Sequence, residues 1–92
     1  MKKVIVLPSF ERAAAKLAFQ EKAQLAKSLT AFNSYLASGH APFGFRWKKI
    51  DRNKYEFRID IRLRVVVKVE GDFFYLVLVG SHDDVGRYLR DS

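Results

Sequence analysis

Between Tyr55 and Val69 the chain alternates. Tyr55, Phe57, Ile59, Ile61, Leu63, Val65, Val67 and Val69 are apolar, and Glu56, Arg58, Asp60, Arg62, Arg64 and Lys68 fall between them. A period of two predicts β-structure with one face in a core. The run is too long for one ordinary strand, so a break is expected near Asp60 to Arg62. After Glu70-Gly71-Asp72, a turn signal, Phe73 to Val79 is almost wholly apolar and predicts a strand covered on both faces. Gly80-Ser81-His82 ends that strand. Asp83 or Asp84 is then placed to cap a final helix through Val85, Tyr88 and Leu89.

Upstream the period changes. Val4 to Leu7 reads as a first strand ended by Pro8, with Ser9 as the helix N-cap. From Phe10, the positions Ala14, Leu17 and Ala18 form one helical face. Leu25, Leu29, Phe32 and Leu36 form the stripe of a second helix that Ser38-Gly39 stops, with Gly39 in the left-handed cap position. Phe19 to Lys22 is either a corner between the helices or part of one continuous helix. His40 to Arg46 is a loop, Trp47 to Ile50 a short link, and Asp51 to Lys54 a polar turn. The order is one α+β domain over 1–92. An N-terminal strand and an α-helical hairpin pack on a mainly antiparallel four-stranded sheet, followed by a short C-terminal helix. The apolar stripes form the core. The arginines at 58, 62 and 64 line up on the opposite face of the sheet.

Charge narrows the picture. In 92 residues, 17 Lys and Arg stand against 10 Asp and Glu, a formal net charge of +7, with a pI near 9.9. Such a balance points to a polyanionic partner. The absence of cysteine rules out a disulfide framework and a thiolate metal site, and two histidines make a poor structural zinc set. No stretch has the length of a membrane span, and Pro8 cuts the apolar run after Lys2 and Lys3 too short for a signal peptide. We therefore expect a cytoplasmic protein without a membrane partner.

Four local signals, in order, resemble the RelE/ParE superfamily of bacterial type II toxins. They are PSF at Pro8 to Phe10, FRI at Phe57 to Ile59, RVVVKV at Arg64 to Val69, and VGSHDDVGRYL at Val79 to Leu89. The resemblance implies the RelE/ParE fold and a cognate antitoxin as partner. Members resembling RelE cleave mRNA, often on the ribosome, and members resembling ParE poison DNA gyrase. For the nuclease branch it implies catalytic roles for Arg64, Arg58 and His82. Arg64 matches the strand arginine that faces the scissile phosphate, Arg58 a second basic strand position, and His82 the acid or base after the last strand. Substrate-binding roles fall to Arg62, Lys48, Lys49 and Tyr88, and no cofactor or metal is implied. The residue types suit the chemistry, since guanidinium groups hold phosphate bidentately and imidazole exchanges protons near neutral pH. Two departures stand out. Glu56 occupies a place where RelE-like members carry lysine, which makes it an alternative base. Gly86 occupies the place of a tyrosine. Either Tyr88 replaces that tyrosine from a non-helical tail, or His82 works alone, or the chain is a gyrase inhibitor or a catalytically inactive member acting only with its antitoxin.

Overall fold

The computed structural model describes residues 1–41 and 44–91. Pro42 and Phe43, in the expected loop, lie outside the described residues. The elements are β1 (Lys3–Val6), α1 (Pro8–Ala15), α2 (Phe19–Ser38), β2 (Lys48–Asp51), β3 (Lys54–Arg58), β4 (Arg64–Glu70), β5 (Phe73–Gly80) and α3 (His82–Asp91). They build a five-stranded sheet in the order β1-β5-β4-β3-β2, parallel only between β1 and β5. The extra strand is the segment expected to be a link. β2 is short, lies at the edge, and carries Lys48 and Lys49, devices that blunt an edge and hide its periodicity.

The helix break falls at 16–18. Glu21 accepts the Ala18 N–H at 2.8 Å, which fixes the start of α2. Gly39 closes α2 at φ 80°, donating to the Tyr35 carbonyl, as its position predicts. Ser9 is not the N-cap of α1. Leu7 is, with Pro8 at the first helical position. The Ser9 hydroxyl instead donates to the Val77 carbonyl at 2.6 Å. Val77 is the additional residue of a bulge in β5, because Val66 faces Leu78 while Val67 faces Leu76. The serine thus satisfies a carbonyl at an irregularity in the ladder and ties α1 to the sheet.

The helical hairpin covers one face of the sheet. Phe32 is fully buried there, with ring centroids of Phe57 at 5.0 Å, Trp47 at 5.6 Å and Phe74 at 6.2 Å. On the other face α3 lays Val85, Tyr88 and Leu89 against Val66, Val77 and Leu78. β5 is apolar throughout because both of its faces are covered. Among the described residues no helix is long and apolar enough to cross a membrane.

Candidate functional site

The turn in the long alternating run occupies 59–63. Ile59 N–H donates to the Leu63 carbonyl at 2.9 Å, and Asp60 Oδ1 accepts the N–H groups of Arg62 and Leu63 at 2.8 Å each. The aspartate therefore folds the hairpin, as short polar side chains do in turns. This closure makes Arg58 and Arg64 Cα partners on β3 and β4. Cross-strand partners share a face, so the two side chains leave the sheet together on the side that carries α3.

Glu56 lies on the same face, one step along. Its carboxylate accepts the Arg64 Nε–H at 3.1 Å, and Lys48 Nζ stands 3.9 Å away on β2. Glu56 is 6% exposed. Arg64 is thus held through Nε, which leaves its terminal Nη groups as the remaining donors. Arg58 makes no ion pair with the described residues. Arg64 faces Gly80 on β5, and His82, exposed, opens α3 two residues later.

A capping box fixes the start of α3. The Ser81 N–H and hydroxyl donate to Asp84 Oδ2 at 2.9 and 3.0 Å, and the Asp84 N–H returns to Ser81 Oγ at 3.1 Å. These bonds from Ser81, backbone first, lower the Asp84 pKa from its ordinary value, and Arg87 and Lys16 add to the effect. A Cβ on Gly80 would stand 2.8 Å from the Asp84 Cβ. The glycine therefore lets the first turn of α3 settle against β5, with His82 opening that helix at the same end of the sheet as Arg58 and Arg64.

Not every expected site residue joins them. The arginine row is a pair, since Arg62 lies in the turn and reaches Glu21 of α2 at 3.9 Å. Lys49 faces Tyr55, so it projects to the face opposite Lys48. Tyr88 lies inside α3, not in a tail, with Lys54 Nζ 6.0 Å from its ring centroid. Burial, with Asp51 adding to it, raises the Tyr88 pKa above the ordinary phenol value. Lys54 begins the strand that Arg58 ends, about 13 Å away at the usual rise. Tyr88 therefore sits toward the far end of β3, and among the described residues the cation shown against its ring is Lys54. Glu56 is more central than its sequence position indicated. Once the turn is set at 59–63, its place beside Arg64 follows from alternation.

No protein-family profile matches the sequence, and no curated protein matches it either. Solved structures do match. YafQ in the DinJ–YafQ complex of E. coli superposes with a TM-score of 0.69 at 12% identity, covering 92% of this chain and 98% of that one. The RelB–RelE antitoxin–toxin complex of Methanococcus jannaschii gives 0.68 at 15% identity, covering 91% and 96%. The YoeB–YefM toxin–antitoxin complex of Staphylococcus aureus gives 0.63 at 16%, covering 89% and 98%. The chain has the RelE-like toxin fold, over nearly its whole length.

Proposed function

We propose that this protein is the toxin of a type II toxin–antitoxin pair and that it is an endoribonuclease acting on mRNA. The observation that carries this reading is the direct opposition of Arg58 and Arg64 on neighbouring strands. Like charges placed opposite each other destabilise a sheet, and an anion held between them reverses that cost. A phosphodiester fits the charge and the planar donors.

Cleavage proceeds by attack of a ribose 2′-hydroxyl on the adjacent phosphorus. The 2′-O–P bond forms as the P–O5′ bond breaks. A base takes the 2′ proton and an acid returns one to the 5′ oxygen. Arg64 and Arg58 hold the phosphate and its developing charge, and His82 exchanges the proton. Glu56 is a positioning residue. Its burial suits a carboxylate that aims a guanidinium better than one that trades protons with substrate. Lys48 adds charge to the same face, whereas Arg62, Lys49 and Tyr88 have no part. The partner in the resting state is a cognate antitoxin, as in the neighbouring complexes.

The test is transcript cleavage by purified protein, with and without translating ribosomes, read at a temperature where each variant is folded. Wild type should cut, and Arg64→Ala should cut far less. Equal cutting by both in the two formats removes the reading. The distance of Tyr88 from the arginines favours one second reading, a gyrase-directed inhibitor without an active site. It requires inhibited supercoiling, with toxicity unchanged in His82→Ala.

A further inference from the structure

We propose that the sheet carries a stacking platform for single-stranded RNA on its α3 side, at the end remote from the arginine pair. Register sets its members. Phe73 and Tyr75 are two positions apart on β5, so they share a face. Tyr75 packs at the border of the cluster that α3 covers, which places both rings on the α3 side. Their centroids are 6.3 Å apart, with a tilt of 31°. On β4, Lys68 is the Cα partner of Tyr75, and on its other side it faces Lys54 of β3. On β1, Lys3 is the Cα partner of Phe73. Partners in register project to one face, so three lysines flank the two rings.

α3 packs on Val66, Val77 and Leu78, while Phe73 stays 43% exposed. Ring surface left in water carries a cost. A stacked base removes that cost, and any base does so, since each has a flat π-face. The lysines supply the match to phosphate. Lys3 and Lys54 make no ion pair with the described residues. Lys68 stands 3.9 Å from Glu70, the Cα partner of Phe73, but both side chains reach solvent. A pair so open to water is weak, and its lysine turns readily to a phosphate. Asp72, in the adjoining turn, is engaged by the N-terminal ammonium at 3.5 Å. Rings set among cations on an open surface suit a single strand, whose bases are free to stack, and not a duplex. Lys68 lies four residues along β4 from Arg64, about 13 Å at the usual rise. The contact is therefore separate from the phosphate that the arginines hold. It goes beyond the ribonuclease reading and stands on binding alone.

Fluorescence anisotropy tests this with a labelled single-stranded oligoribonucleotide whose sugars are 2′-O-methylated, so that it is not cut, and with the duplex of the same sequence. Wild type is compared with Phe73→Ala, Phe73→Leu, Lys3→Ala and Lys68→Ala. Phe73 and Lys3 are exposed and Lys68 is half-buried, so these variants should fold, and a thermal melt checks that. Phe73→Leu keeps apolar bulk on the strand and removes only the ring. Both Phe73 variants should weaken single-strand binding about five- to a hundredfold and leave duplex binding unchanged. Each lysine variant should reduce the salt slope for the single strand by about 0.7. Phe73 variants that bind the single strand as tightly as wild type overturn the inference, as does a wild type that prefers the duplex. Single-strand binding that depends on Phe73 in a protein that cuts no transcript upholds this inference and removes the ribonuclease reading alone.

Discussion

Glu56 is the only buried charged residue among those described, and the pair it makes sets a measurable stability cost. The side chains of Glu56 and Arg64 are 8% and 12% exposed, and their contact is 3.1 Å. In Arg64→Ala the carboxylate would keep only Lys48, 3.9 Å away on a side chain 65% exposed. Removing one partner of a buried pair costs about 3–5 kcal/mol, and the remaining lysine argues for the lower end. For a chain of this size, about 3 kcal/mol lowers the melting temperature by roughly 12–24 °C. Glu56→Ala should cost less, about 1–3 kcal/mol, because the longer arginine can turn its head to water. The double variant should then be less destabilised than the sum, with a coupling of about 2 kcal/mol. Urea and thermal unfolding of the four proteins measure it. Effects that add to within about 0.5 kcal/mol would refute the idea that the pair is a coupled buried unit. The result also governs the cleavage test. Arg64→Lys keeps a charge opposite Glu56 and loses the planar fork, so it should fold better than Arg64→Ala while still cutting poorly.

Three further outcomes are expected. Gly80→Ala should destabilise the protein by about 1–3 kcal/mol, because its Cβ would meet that of Asp84, and it should loosen the start of α3, visible as faster amide exchange at Asp84 and Val85. The lowered Asp84 pKa gives stability that is present above the unfolded value of 3.8 and lost as pH falls through the lower folded value. The gap in melting temperature between wild type and Asp84→Asn should therefore be widest near neutral pH and close in acid. An unchanged gap at pH 3 and below would contradict this. Tyr88→Phe should leave cleavage unaltered, since the phenol lies by Lys54, and in wild type the ultraviolet titration of Tyr88 should occur above that of a free tyrosine. A large loss of cutting in Tyr88→Phe would place the ring in the site after all.

The larger elements are legible because their apolar periods are long. The stripe from Leu25 to Leu36 and the alternation from Tyr55 to Val69 each repeat often enough to name an element and its buried face. What failed to show depends on partners distant in sequence. β2 gains its hydrogen bonds from β3, and its lysines carry no apolar alternation. Ser9 stands where an N-cap belongs, yet its hydroxyl serves a bulge 68 residues away. Arg62 keeps the alternating period, but Asp60 turns the chain before the period can place it on the sheet. A charge pattern gives spacing along a strand, and only the position of the turn decides which charges become neighbours.

That position also explains why the site is compact. With the turn at 59–63, β3 and β4 end in an arginine each, and alternation puts Glu56 one step behind Arg58 on the same face. A turn shifted by one residue would reverse the faces of Arg58 and Glu56 relative to Arg64. The buried carboxylate is thus a register marker as well as a guanidinium holder, since the wrong pairing would leave it facing the aromatic core. Gly80 and the Ser81–Asp84 box fix the other side of the same row. Residues that serve the fold therefore bring Arg58, Arg64 and His82 to one end of the sheet, and the aim of Arg64 is coupled to the stability of the hairpin.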